Sequence, residues 1–378
     1  MGSSSGATVL PDAARRAATV AAERADASET ARALDGAVVT ALVEGGLMRL
    51  PVPAAYGGPE ADPLAMVDAL ATVAAGDGAA GWCAMIASTT ASMAWFADPG
   101  FAREAYGDPT SITGGAIAPN GVGTTVDDGY RVTGRWQWGS GTAHCRWILG
   151  GTLTDDGAYL LAYAPAEQVE LLDTWWSSGL RGTGSGDVAF HDVLVPRQRC
   201  VHPLGATPTI DGDLGRFPVF GLLAASIASV AVGIARHAVE AVVDQAGGKT
   251  PMFSSSTLAA SALAQHDVAA AEAAVGAGWA FLTDELAMCW ALVQAGDDVP
   301  VERRARLRLA AVHATREAAR TVDLAYETGG GSSVFAANPL QRCFRDVHTA
   351  TQHLMVSPRV LETVGRIRLG QDVDLSLF

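Results

Sequence analysis

The string Gly134-Arg135-Trp136-Gln137-Trp138-Gly139-Ser140-Gly141 ends an aromatic-rich strand in a Gly-Ser-Gly turn, a combination that suits a flat ligand. Glycines let the backbone approach closely, and a hydroxyl at the turn both donates and accepts. The same residues also fit a plain hairpin with core tryptophans. A second string, Asp173-Thr174-Trp175-Trp176-Ser177-Ser178-Gly179-Leu180-Arg181-Gly182-Thr183-Gly184-Ser185-Gly186-Asp187-Val188, is a loop of N–H groups and hydroxyls able to hold phosphate or ring oxygens. Individual hydroxyls in it, such as that of Thr183, also fit turn caps. A third, Gly329-Gly330-Gly331-Ser332-Ser333, fits either an anion site of unpaired N–H groups or a helix C-cap.

The histidines sort by spacing. His348 and His353 are five residues apart, about 140° around a helix, so they do not form the i,i+4 pair that holds a metal. No metal site is expected. Taken alone, a helix histidine is usually a surface or satisfied core residue. These two lie in Gln341-Arg342-Cys343-Phe344-Arg345-Asp346-Val347-His348-Thr349-Ala350-Thr351-Gln352-His353, after which no acid occurs until Glu362. Arg345 and Asp346 fit a structural ion pair.

These candidates need a scaffold, and 378 residues are too many for one ordinary core, which predicts two or three domains. Hydrophobic residues make up 49% and the formal net charge is -14, which argues against a nucleic-acid or anionic-membrane surface. Five scattered cysteines (Cys83, Cys145, Cys200, Cys289, Cys343) without a C-x-x-C spacing signal neither disulfides nor zinc and fit a reducing cytoplasm. Met1 to Gly6 lacks signal-peptide features and reads as a disordered lead-in. The uncharged stretch Phe217 to Ala235 approaches a membrane span in length. Its Ala, Gly, Ser and Pro content predicts a buried bundle helix instead.

Helical spacing dominates from Asp12 to about Phe101, broken at Leu50 to Gly58 and at Asp77 to Trp82. From about Pro109 to Gly205 short Val/Thr/Trp/Tyr segments alternate with turns such as Asp128-Gly129 and Asp156-Gly157. Strands are expected at Tyr130 to Trp138, Trp147 to Leu153, Ala158 to Ala164 and Gly186 to Val195. From Phe217 helices return, with breaks at Asp244 to Phe253, Gln294 to Pro300 and Gly329 to Ser333. The fold class is therefore α+β, mainly α, with domains at 1–108, 109–212 and 213–378, and not an alternating dinucleotide fold. No Rossmann G-x-G-x-x-G follows a strand, so NAD(P)H binding by this chain is not expected.

In this order, Leu50-Pro51-Val52-Pro53-Ala54-Ala55-Tyr56-Gly57-Gly58, the Trp136 to Gly141 strand, the Asp173 to Val188 string and Arg345-Asp346 resemble the acyl-CoA dehydrogenase fold from roughly Asp12 to Leu369. The resemblance implies an N-terminal helical domain, a central β-barrel domain and a C-terminal four-helix bundle. Dehydrogenases of that fold carry a Glu about two turns after the Arg-Asp pair, to take a proton from the substrate. A base must lie within hydrogen-bond reach of its proton, so Glu362 cannot replace it. His353 in that window resembles the group D two-component flavin-dependent monooxygenases, as does the string from Asp173 to Val188.

That resemblance implies an oxygenase that takes reduced FAD or FMN from a separate NAD(P)H-dependent flavin reductase. With O2 as co-substrate it would hydroxylate an aromatic or heteroaromatic ring through a C4a-hydroperoxyflavin. It makes His353 and Ser140 catalytic. It assigns Trp138, Gly139, Ser140, Arg181, Thr183, Ser185, Lys249, Gly330, Gly331 and Ser332 to the flavin, although relatives commonly carry Arg where Lys249 stands. Trp82, Thr90, Asn120 and His144 would face the substrate, and a cytoplasmic homotetramer is implied. Phenol hydroxylases of this kind place a His on the helix after the Gly-Trp pair. Here Trp82 to Trp95 holds only Ser88, Thr89, Thr90 and Ser92, which fits either a substrate already rich in electrons, such as an indole or a polycyclic natural-product intermediate, or His144 serving as the base instead. N- or S-oxygenation, an acyl-CoA dehydrogenase with its carboxylate relocated to Glu240 or Glu285, and a flavin-independent dehydratase or scaffold remain as alternatives.

Overall fold

The computed structural model describes residues 9–378, so the expectation for Met1 to Gly6 lies outside the described residues. The chain divides into two compact units. Among the described residues, one comprises 9–69, 82–177 and 181–217; the other comprises 70–81, 178–180 and 218–378.

Among the described residues, five α-helices come first: α1 (Val9–Ala31), α2 (Gly36–Glu44), α3 (Pro63–Gly76), α4 (Gly78–Ala91) and α5 (Pro99–Tyr106). Asp35 caps α2 and Asp98 caps α5, each accepting from N–H groups of the first turn that have no partner inside the helix. Seven strands follow: β1 (Thr113–Val126), β2 (Gly129–Trp136), β3 (Trp147–Thr154), β4 (Tyr159–Pro165), β5 (Glu170–Leu172), β6 (Asp187–Pro196) and β7 (Cys200–Val201). They form one sheet in the order β5-β6-β2-β1-β3-β4-β7, with β1 and β3 parallel and the other neighbours antiparallel. The Trp136 indole lies in its core, fully buried, donating from Nε1 to Ala118 and Gly151 carbonyls. A Cβ at Gly121, Gly134 or Gly150 would come within 2.5–2.7 Å of that ring, so three glycines on three strands make its slot.

The second unit is a bundle of α7 (Val219–Ala246), α8 (Ala262–Gln294), α9 (Val301–Gly329), α10 (Pro339–Ala350) and α11 (Arg359–Arg368), after the short α6 (Asp213–Arg216) of the first. Helix α7 is long and apolar enough to cross a membrane, yet 83% of its most apolar stretch is buried in protein, as its composition predicted. Its buried hydroxyls are satisfied locally: Ser226 donates to the Leu222 carbonyl at 2.8 Å and Ser229 to the Ser226 carbonyl at 2.7 Å. The breaks expected at 244–253, 294–300 and 329–333 fall at or beside the observed helix ends.

Candidate functional site

The strand β2 delivers its last residues into a tight turn. Trp138 sits there at φ 67°, a left-handed backbone that a bulky residue rarely adopts, with its indole 69% exposed. The Gly139 N–H donates to the Gly186 carbonyl at 2.8 Å, and that of Gly141 donates to the Thr183 carbonyl at 2.9 Å, which locks the turn to the Arg181-to-Gly186 loop. Behind it the side chains of Ser140, Ser185 and Thr183 form a buried row, with Oγ separations of 2.7 and 2.6 Å. Trp82 of α4 donates its indole N–H to Ser140 Oγ at 3.1 Å. Three hydroxyl protons share two internal bonds, so one proton faces a partner outside the row. When the chain runs from Thr183 through Ser185 to Ser140, that proton belongs to Ser140.

Ser185 also lines a cleft of about 300 Å³ with Arg135, Gln137, Trp138, Thr174, Trp175, Trp176, Ser177 and Asp187. Its walls are tied by ion pairs. Arg32 makes a two-toothed contact to Asp173, at 2.5 and 2.8 Å, while its guanidinium lies 3.6 Å from the Trp176 ring centre. Asp187 accepts from Arg135 Nε at 2.7 Å and from Thr174 Oγ1 at 2.8 Å. Trp138 and Trp176 leave their rings mostly exposed, at 69% and 72%. Arg181 Nε is buried with no partner among the described residues. Exposed flat rings, a buried row of hydroxyls and an orphaned guanidinium N–H fit a planar, oxygen-rich, anionic ligand such as a flavin.

In the second unit, Lys249 donates to the Gly329 carbonyl and to Ser332 Oγ, closing the turn of Gly330, Gly331 and Ser332 at the end of α9. That places a cation at a helix C-terminus, where the dipole favours it, and gives the turn the C-cap role. Gly330 takes φ 61° and Gly331 has open space beside it. Ser178, Gly179 and Leu180 are anchored here by α10: Arg345 donates to the Ser178 carbonyl at 2.6 Å, and buried Asp346 accepts from the Leu180 N–H. A Cβ on Gly179 would meet the Arg345 carbonyl at 2.0 Å, so this place in the motif admits only glycine.

The spacing argument for the histidines assumed a helix that the structure ends sooner. Helix α10 stops at Ala350, where Thr349 and Thr351 turn their hydroxyls back to the Arg345 and His348 carbonyls. His348 pairs with Asp323 at 2.7 Å. His353 instead begins the short turn Leu354–Val356, and its Nδ1 accepts the Met355 N–H at 3.2 Å. An acceptor Nδ1 leaves the ring proton on Nε2. Burial, and then the field of Arg308, push this imidazole down to about 4, so at neutral pH it is an uncharged Nε2–H donor.

The residues expected to face substrate are scattered in character. Thr90 is buried and directs its hydroxyl at the Ile86 and Thr113 carbonyls, both at 3.0 Å, whereas Asn120 lies exposed on β1. His144 is half-buried after the Gly-Ser-Gly turn, and burial lowers its pKa. The other α4 hydroxyls serve the backbone: Ser88 bonds Leu47 and Leu50, Thr89 bonds Met85, and Ser92 of the turn just after it bonds Thr89. Of the two carboxylates that could replace a dehydrogenase base, Glu285 is buried between Arg303 and Arg306 at 2.9 and 2.6 Å, and Glu240 is exposed on α7. Sequence reasoning missed Arg32, Trp176 and Arg308, because pairings across 141 and 47 residues leave no local pattern.

Models of the acyl-CoA dehydrogenase N-terminal and C-terminal domains match residues 8–99 and 225–358. The chain is 32% identical to indole-3-acetate monooxygenase of Pseudomonas putida, over 88% of this chain and 87% of that one. It is 31% identical to the flavin-dependent monooxygenase oxygenase subunit HsaA of Mycobacterium tuberculosis, over 89% of each. Among solved structures, the 3-HSA hydroxylase from Rhodococcus sp. RHA1 superposes with a TM-score of 0.90 at 28% identity, covering 98% of both chains.

Proposed function

The chain belongs to the flavin-dependent monooxygenases built on the acyl-CoA dehydrogenase fold, and from that premise we propose that it hydroxylates an electron-rich aromatic or heteroaromatic ring, an indole or a polycyclic natural-product intermediate. It acts as the oxygenase component of a two-component system. Reduced FMN or FAD, when bound, supplies the electrons that activate O2. The observation that carries the reading is His353. In the window where a dehydrogenase needs a carboxylate, this chain holds a neutral imidazole with its proton fixed on Nε2. Such a group cannot accept a second proton readily at neutral pH, but it donates a hydrogen bond to oxygen as charge builds there.

Ser140 supplies the second donor through the hydroxyl row, and Trp138, Gly139, Arg181, Thr183 and Ser185 hold the flavin's edge. Trp82 orients Ser140 from behind. The Lys249 turn with Gly330, Gly331 and Ser332 is assigned to the flavin of a neighbouring subunit, with Trp82, Thr90, Asn120 and His144 toward substrate. The α4 hydroxyls are all engaged with backbone or with Thr113, so no base waits there to deprotonate a phenol. A ring that is nucleophilic without deprotonation fits that wall. We also assign a separate NAD(P)H-dependent flavin reductase, a cytoplasmic homotetramer and the division at 1–108, 109–212 and 213–378.

Rapid mixing of the protein and anaerobically reduced FMN or FAD with oxygenated buffer tests the reading. The expected record shows an absorbing species distinct from both reduced and oxidised flavin, decaying sooner in His353→Ala. Immediate return of oxidised flavin, unchanged by protein, would overturn it. Sedimentation velocity tests the tetramer.

A further inference from the structure

The segment Asp372 to Phe378 folds back on α9 and takes hold of an arginine that the proposed chemistry does not use. Arg308 is 2% exposed, an unusual place for a guanidinium. Its Nη1 donates to the Leu377 carbonyl, its carbon Cζ lies 4.9 Å from the Phe378 ring centre, and Arg304 donates to the Phe378 carbonyl at 3.0 Å. Its other amino nitrogen donates to the Met355 carbonyl at 3.1 Å. The N–H of that same Met355 is the donor to His353 Nδ1. One residue is therefore gripped at both ends, by Arg308 at its carbonyl and by the imidazole at its amide.

We propose that Leu377, Phe378 and Arg308 form a strap that holds the Met355 turn and thereby fixes the tautomer and orientation of His353. The inference rests on the reading of His353 as the oxygenase's hydrogen-bond donor. The physical case is that a donor to Nδ1 of a neutral imidazole selects the tautomer whose proton is on Nε2, so a well-placed donor there fixes which nitrogen donates. Met355 N–H is that donor, and it lies in a turn of three residues with little intrinsic stability. The Arg308 guanidinium is held at both amino nitrogens by carbonyls and on one face by an aromatic ring, while its buried Nε has no partner among the described residues. Arg308 and Phe378 are thus positioning residues.

The test uses the whole 378-residue chain with ¹⁵N-labelled histidine, free of flavin, in wild type, Arg308→Met, Phe378→Ala and Phe378→Tyr. Two-bond ¹H–¹⁵N correlation reads the tautomer of each ring, with His353→Asn identifying the His353 signal. The strap requires a single Nε2–H form in wild type, averaged nitrogen shifts in Phe378→Ala and Arg308→Met, and recovery of the single form in Phe378→Tyr. In turnover, Phe378→Ala is then expected to lower kcat about tenfold with KM nearly unchanged, the size seen when an outer-shell partner is removed. Unchanged His353 signals in Phe378→Ala sink the strap even if Arg308→Met fails to fold. Wild-type product yield from His353→Asn would instead sink the role of His353 on which it rests.

Discussion

Burial, and then the Arg308 guanidinium, hold the His353 imidazole at about 4 against an ordinary value near 6.5, and this links acid stability to the proposed donor. As pH falls from 6.5 the unfolded chain takes up a proton at this residue before the folded chain does. Stability therefore drops through the window from 6.5 to 4, by about 3 kcal/mol at most from this group. His144 and His237 are pushed the same way, chiefly by burial. The urea midpoint should fall between pH 7 and pH 5, and His353→Asn should remove part of that fall. An identical pH slope in the variant would mean that the ring is not desolvated. Ser140 makes a second case. Ser140→Ala removes the bond from the Trp82 N–H to Ser140 Oγ and cuts the hydroxyl row, which costs roughly 1–3 kcal/mol in urea unfolding. It should also lower product formed per flavin oxidised, and a variant that kept full yield would remove Ser140 from the chemistry.

At the level of elements, the sheet owes its central packing to one indole and three glycines. Gly150→Ala would put a methyl 2.5 Å from the Trp136 ring, which two hydrogen bonds from Nε1 hold in place, so the strands must part. Overpacking of this kind costs about 1–3 kcal/mol, and Trp136→Phe in the same chain should return some of it. Urea unfolding of the single and double variants measures both, and purely additive losses would show that ring and methyl do not meet. The strands around Trp136 were legible because turn pairs such as Asp128-Gly129 bracket β-branched and aromatic runs. Strand β1 was not, since its glycines imitate a loop, and their purpose appears only when the partner indole is in place. Helical periodicity likewise ran past Ala350 toward His353, because the hydroxyls that end α10 look like ordinary helix residues until their carbonyl partners are known. Ser140 and the pair Thr183 and Ser185 were readable in two separate strings, but not their meeting in one row. The Arg32 contact to Asp173 and the Arg308 strap were not, since each joins distant parts of the chain.

For the whole molecule, the formal charge of -14 sets how an anionic cofactor arrives. Reduced FMN and FAD both carry phosphate, so at long range the protein repels the ligand it must collect from solution. Local cations such as Arg181 and Lys249 act within a few ångströms, whereas the net field reaches about 10 Å at 0.1 M salt and further when salt is dilute. Screening should thus remove the long-range repulsion before it weakens the short-range contacts. The association rate of anaerobic reduced FMN, followed by fluorescence quenching, is expected to rise as sodium chloride is raised from low to physiological strength. Reduced riboflavin, which lacks the phosphate and carries less negative charge, should show a smaller rise. A rate for FMN that falls with salt would mean that clustered cations steer the ligand despite the net charge. Charge reversal at Arg181 and at Lys249 would then show which of the two does so.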